Sequence, residues 1–386
     1  MLRTSYIEIN KKFYKENLKY IKAQIGKNVK FCSVVKGNAY GHGLEEFVVM
    51  AESTGVDMFA VFDAHDAFII KQIFPENVDI IIMGYIDNED LNWAINNNVS
   101  FYVFNLNRFE KTIAIAKRLN KKAHIHIELE TGLHRTGFED YVIPKVVKMI
   151  NNNLDFLDIQ GVCTHYAGAE SIANYYRIQN QIKKFNKLKN VLEAKKIKPK
   201  YYHTACSAAA LTYEQTIMDL VRIGIAQYGF WPSPETQIYN LQNSHQDFKD
   251  DPLNQILTWK SVVMDIKMIK KGNFIGYGTS HLAKRNLKAA IIPIGYNAGF
   301  SRKLSDLGSV LIHGKKVAVV GLVNMNMITV DISHLPEVNV GDEVVIIGTQ
   351  GEEKITISSF TEQLNYLNYE LLTRLPESIP RKVVEK

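Results

Sequence analysis

The side chains best placed to do chemistry in this 386-residue sequence begin with Lys36. It ends the apolar run Phe31–Val35 and precedes a stretch of small residues, Gly37-Asn38-Ala39-Tyr40-Gly41-His42-Gly43. A buried strand that ends in lysine delivers an amine to a loop whose backbone a ligand can approach closely. Desolvation there lowers the amine pKa, which suits a Schiff-base nucleophile. A second set follows later apolar runs: Arg135 in Glu128-Leu129-Glu130-Thr131-Gly132-Leu133-His134-Arg135, then His165, then Ser207 in His203-Thr204-Ala205-Cys206-Ser207, then Arg222 with Gly224 and Ile225. The Ser207 hydroxyl and the thinly covered N–H groups of Gly224 and Ile225 suit a phosphate. An amine, a phosphate site and an inward arginine together suit a phosphate-bearing aldehyde, pyridoxal phosphate. Singly, each residue has a duller reading: a surface lysine, a core histidine, a solvated loop arginine, a turn glycine.

The elements that must hold these residues read as a repeat of strand and helix. Strand-like runs fall at Phe31–Val35, Met58–Phe62, Ile80–Met83, Ser100–Phe104, His124–Leu129, Ile159–Thr164, Tyr201–Thr204 and Leu220–Ala226. Helical composition lies between them, as at Leu44–Ser53, Asn107–Leu119, Ile143–Asn151 and Tyr175–Lys195. This alternation predicts an α/β fold, an eightfold β/α (TIM-like) barrel, whose catalytic groups sit at the C-terminal ends of the strands. A doubly wound sheet is the alternative, weakened because no early G-x-G-x-x-G loop is present. Ahead of the barrel, Tyr6–Ile9 alternates as a short strand, and Asn10 caps a helix to about Ile25. Pro232 to Pro252 reads as a linker. Beyond it, runs such as Trp259–Ile269, Ala289–Ile294, Ser309–Ile312, Lys316–Val320, Met327–Ile332 and Glu343–Ile347 predict an all-β domain, with helical texture returning at Ser358–Leu367. The expected division is 1–240 for the barrel and 241–386 for the C-terminal β domain.

Composition narrows the class. Net charge is +6, but the basic residues are spread along the chain with acids between them, which argues against nucleic acid. Three scattered cysteines and no ligand spacing argue against a disulfide framework or a metal site. No signal-peptide core or membrane-length apolar run is present, so a cytoplasmic protein without a membrane partner is expected.

The motifs and their order resemble the alanine racemase family over nearly the full length. Val35-Lys36-Gly37-Asn38-Ala39-Tyr40-Gly41-His42-Gly43 resembles its pyridoxal-phosphate lysine motif, and Val221-Arg222-Ile223-Gly224-Ile225-Ala226 through Tyr228-Gly229 its strand-eight motif. Gly276-Tyr277-Gly278, Pro293-Ile294-Gly295-Tyr296, Asn368-Tyr369-Glu370-Leu371 and Ile379-Pro380-Arg381 match further segments. The resemblance implies that Lys36 carries the cofactor and that Tyr40, Ser207, Gly224, Ile225 and Tyr369 hold its phosphate. It implies that Arg222 faces the pyridine nitrogen. Because Arg only donates, that nitrogen stays unprotonated and the electron sink is weakened, favouring prompt reprotonation. It implies a two-base racemase, with Lys36 on one face of the α-carbon and Tyr277 on the other. Arg135 and His165 would tune Tyr277, and Arg135 with the Met325 N–H would bind the substrate carboxylate. Tyr277 would come from a second subunit, giving a homodimer with shared active sites. The expected role is D-alanine supply for peptidoglycan.

Some positions depart from that pattern. Glu128 stands where many members carry a carbamylated lysine, and it is expected to orient Arg135 directly. Leu322 and Asn326 replace a usual Arg and Asp at the substrate entrance. These changes keep open a racemase for serine or for a larger amino acid such as lysine. A basic amino-acid decarboxylase is disfavoured because it needs no second base. A non-catalytic pyridoxal-phosphate barrel is disfavoured because it lacks the β domain.

Overall fold

The protein is described by a computed structural model covering residues 4–243, 251–335, 337–364 and 367–385. It divides into two compact units, one of Phe13–Lys36 with Val48–Asn254, the other of Met1–Lys12, Gly37–Phe47 and Gln255–Lys386.

The first unit is the barrel. Its strands are β1 (Lys30–Val34), β2 (Met58–Val61), β3 (Asp79–Ile82), β4 (Ser100–Val103), β5 (Ala123–Glu128), β6 (Leu157–Cys163), β7 (Tyr201–His203) and β8 (Leu220–Ile223). All pair in parallel in chain order, and β8 returns beside β1 with Cys32 opposite Arg222. The seam between β7 and β8 carries a bridge from Cys206 to Arg222 and bonds from Asp219 N to Tyr202 O (3.1 Å) and Arg222 N to Ala205 O (3.0 Å). The ring is thereby nearly closed. The strands read as continuous apolar runs because both faces are covered, one by the barrel interior and one by helices.

The eight expected strands are all present, with ends shifted by at most three residues, the largest shift being the last strand, which stops at Ile223 and not Ala226. The helices at Leu44–Glu52, Leu106–Leu119, Ile143–Asn151 and Tyr175–Ala194 also match the expectation. Helices at Ala64–Ile73 and Asn88–Asn96 were not singled out by pattern; Asp63 and Asp87 cap them by accepting from N–H groups of the first turn. The expected linker is a correction. Pro234–Asn243 is helical, with Ser233 Oγ accepting from Thr236 N at 3.1 Å and proline in the first turn. The rest of that stretch, 244–250, lies outside the described residues.

The second unit is mostly strand. One sheet runs, in spatial order, Lys315–Ala318, Ser309–Ile312, Glu343–Gln350, Leu257–Val262, Tyr6–Asn10 and Arg381–Val384. Near the chain's two ends, Tyr6–Asn10 and Arg381–Val384 pair in parallel here. A second sheet holds Asp265–Ile269, Leu287–Ile292 and Ile328–Asp331. The single run expected at Trp259–Ile269 is therefore two strands, split at Val263–Met264 and assigned to different sheets.

Candidate active site

Lys36 follows β1, and its position is fixed by the way β1 ends. Gln227, fully buried, donates from Nε2 to Val34 O (3.1 Å) and accepts from Ser33 Oγ (2.8 Å). Tyr228 Oη donates to the same Val34 carbonyl at 3.0 Å, and Val35 N donates to Ala60 O at 2.9 Å. Lys36 is solvent-exposed at the end of that strand. Burial and then the charges of Arg135 and Arg222 push its amine below the ordinary lysine value.

Arg222 is buried on β8. Its Nη1 donates to His203 Nδ1 and to His203 O (2.9 Å), and its Nη2 donates to Thr164 O (2.8 Å) and Thr204 O (3.2 Å). The fifth donor, Nε–H, has no partner among the described residues. Because Arg only donates, His203 Nδ1 is an acceptor and its proton sits on Nε2. That nitrogen lies 2.8 Å from His126 Nδ1, so a two-imidazole chain backs the guanidinium. Both rings are neutral: burial, then Arg222, pushes His126 down to about 3 and His203 well below its usual value. Tyr102 on β4 meets His126 and His203 at ring distances of 6.0 and 6.1 Å, so the cluster fills the barrel interior. Gly161 on β6 leaves the room, since a Cβ there would come 2.1 Å from His126 Nδ1.

The loops after β5 and β6 are tied together. Glu130 accepts from the N–H groups of Gly132 and His134, which shapes the turn leading to Arg135. Gln181 accepts from Ala167 N (2.8 Å) and donates to Thr131 Oγ1 (3.2 Å) and to His165 O (3.2 Å). Burial, then Arg222, Arg135 and Lys36, lowers His165 to about 3, so its ring is neutral. Glu128 is a correction. It forms no ion pair with Arg135 within 4 Å among the described residues; burial raises its pKa, and Thr136 and the charges of Arg222 and Arg135 act against that rise. Ser207 is buried, and its Oγ accepts from Gly224 N at 2.9 Å, with Ile225 N next in the chain. Lys36, Arg135, His165 and Arg222 thus share one electrostatic neighbourhood in the barrel unit, and Ser207 and Gly224 are bonded to each other there.

The residues after Lys36 belong to the other unit. Gly37, Asn38 and Ala39 take left-handed angles (φ 63, 55 and 50°) and Tyr40 follows at φ 52°. Such a turn costs roughly 1–2 kcal/mol for each residue bearing a Cβ. It is offset by bonds from Gly41 N to Gly37 O (3.0 Å), Leu44 N to Asn38 Oδ1 (2.7 Å) and His42 Nδ1 to the Tyr40 carbonyl (2.9 Å). The turn presses on helix Asn368–Thr373: a Cβ at Gly41 would come 2.0 Å from Leu372 O. Arg381 ties the same turn down, donating to Gly41 O (2.9 Å) and to Ile379 O (2.6 Å). Tyr40 and Tyr369 are thereby brought to 6.0 Å between ring centroids.

Tyr277 sits at the tip of a hairpin whose arms pair at Phe274 and Leu282, and it is 72% exposed. Met325 is exposed in a loop lying on the Pro293–Tyr296 segment; Asn297 N donates to Met325 O at 3.0 Å, and a Cβ at Gly295 would come 2.1 Å from Asn324 O. Sequence reasoning did not single out Gln227, Gln181, His126, His203 or Glu130 as site-forming. No spacing signals Gln227, Gln181, His126 or His203, because each acts through partners well separated in the chain, whereas Glu130 closes a local turn onto Gly132 and His134.

Residues 9–232 match the alanine racemase N-terminal domain, and residues 256–383 match the alanine racemase C-terminal domain. The chain belongs to the alanine racemase family. An alanine racemase from Leptospira interrogans is 32% identical over 382 residues, covering 99% of this chain and 96% of that protein. One from Methanococcus maripaludis is 32% identical, covering 97% of each. Among solved structures, alanine racemase from Bacillus anthracis with bound L-Ala-P superposes with a TM-score of 0.89 at 30% identity, covering 100% of this chain and 96% of that one. Alanine racemase from Clostridium difficile gives 0.89 at 28% identity, covering 100% and 97%. An alanine racemase barrel with its strand-rich unit is therefore the architecture that holds the groups above.

Proposed function

We propose that this chain interconverts L- and D-alanine with pyridoxal phosphate carried on Lys36, and with Lys36 and Tyr277 as the two bases. The observation that carries the reading is the donor set at the barrel mouth. A lysine of lowered pKa stands beside a buried arginine whose Nε–H alone is left for a ring nitrogen, and a serine–glycine pair fits a phosphate. These residues fit the cofactor. When bound, pyridoxal phosphate withdraws electrons from the α-carbon of an attached amino acid and so makes its proton removable. Lys36 Nζ then takes or returns that proton on one face, and Tyr277 Oη does so on the other. Ser207, the N–H groups of Gly224 and Ile225, Tyr40 and Tyr369 hold the phosphate. Arg222 Nε–H donates to the ring nitrogen, and the His203–His126 chain fixes its plane. Arg135 and the Met325 N–H take the substrate carboxylate, and Arg135 and His165, on the cofactor side, tune Tyr277. Tyr277 comes from a second copy of the chain, so the working unit is a cytoplasmic homodimer supplying D-alanine for peptidoglycan.

Leu322 and Asn326, both uncharged, favour one second reading, activity on serine or on a larger amino acid. Chiral analysis after incubating the cofactor-loaded protein with L-Ala, L-Ser and L-Lys decides between them. D-Ala formed fastest supports the proposal; D-Ser or D-Lys formed faster favours the second reading. Amine in place of a D isomer, or no product, overturns both.

A further inference from the structure

One foot of the hairpin that carries Tyr277 packs against Gly321, and the other shares an aspartate with it. Gly276 and Gly278, at φ +72° and +68°, flank Tyr277, so the tip has little stiffness of its own. Below it, Ile275 N donates to His281 O at 2.9 Å and closes the loop. Ile275 lies so close to Gly321 that a Cβ on Gly321 would come 2.8 Å from Ile275 O. On the other foot, His281 Nδ1 lies 2.6 Å from Asp306 Oδ1, and the same oxygen accepts from Gly321 N at 2.7 Å. The next residues are Leu322 to Met325, and Ser305 Oγ accepts from Val323 N at 3.0 Å. Asp306 therefore joins the tip that bears Tyr277 to the segment that bears the substrate wall, through side-chain bonds that neither segment supplies alone.

We infer that Asp306 and His281 are a positioning pair for Tyr277, setting its hydroxyl against the Leu322–Met325 wall. The inference rests on the reading of Tyr277 as one of the two bases. A small displacement of a reacting group is expensive: about 1 Å can cost on the order of a hundredfold in rate. A pair that sets only Tyr277 should matter on one face of the α-carbon.

The test follows loss of the α-proton to D2O from L-Ala and from D-Ala separately, by NMR, with cofactor-loaded enzyme. Tyr277→Phe identifies the enantiomer served by Tyr277, because its exchange stops while the other continues through Lys36. Asp306→Ala, and independently His281→Ala, should slow exchange from that same enantiomer by about tenfold or more, and leave the other within about twofold. Asp306→Asn keeps an acceptor oxygen for both N–H groups and should restore most of the rate, with KM for alanine unchanged throughout. Equal slowing of both enantiomers, or of neither, in a folded variant overturns the positioning role while leaving the Tyr277 reading intact. Unaltered exchange from both enantiomers in Tyr277→Phe overturns the two-base reading and the positioning role with it. His281 is only partly buried, so His281→Ala decides the matter if Asp306→Ala does not fold.

Discussion

The barrel mouth and the Tyr277 hairpin hold reactive groups in opposite ways. At the barrel mouth, Arg222 is fixed by four donated bonds and backed by two neutral imidazoles in a buried network. Tyr277 is an exposed ring on a glycine-flanked tip, steadied from beneath by Asp306 and the Gly321 backbone. The buried network serves stability and site geometry at once, because unpaired polar groups in low dielectric are costly. The exposed tip serves geometry alone. A change in the first should therefore be felt in unfolding as well as in rate, and a change in the second only in rate.

Lys36→Ala should remove the covalent anchor and one base together. Racemisation should fall by at least about ten-thousandfold, read by chiral chromatography, and a variant that keeps wild-type turnover breaks the account of the barrel mouth. Tyr277→Phe should lower racemisation by about a thousandfold while the unfolding free energy stays within about 0.5 kcal/mol, read by urea titration. A large loss of stability there would erase the contrast between the two regions. Gly161→Ala drives a methyl into the His126–His203 pair, whose nearest atom would be 2.1 Å away. It should cost about 1–3 kcal/mol of stability and also weaken cofactor binding through Arg222. Loss of neither would show that the imidazole chain is slack.

Acid should act on the histidines whose rings are held neutral, the mildest of these perturbations. His126 and His165 are lowered from 6.5 to about 3, chiefly by burial, as is His42 in the second unit. The unfolded chain binds these protons first as pH falls. Their contribution is therefore complete above about pH 6.5 and is lost progressively toward about pH 3. The melting temperature should fall through that window, and His126→Asn should flatten part of the slope. A melting temperature unchanged between pH 7 and about pH 4 would contradict the assignment of neutral rings.

Much of this molecule was legible in its sequence. The eight barrel strands follow from apolar runs that must be covered on both faces, and the lysine motif follows from a strand that ends among small residues. The glycines after Lys36 have local physical reasons, in the left-handed turn and in the closeness of Leu372. The helix Pro234–Asn243 was hidden in a polar stretch because its stabilising contacts are tertiary, as in Asn240 Nδ2 donating to Leu211 O.

What only the tertiary structure decided are pairings between residues far apart in the chain. Sequence period carries no information about which histidine backs Arg222, which glutamine closes β1, or which aspartate joins His281 to Gly321. It also cannot show that, among the described residues, Glu128 forms no ion pair with Arg135. A motif fixes residue types and their local order. Bond partners are set where distant loops converge, by which donors and acceptors burial leaves facing one another.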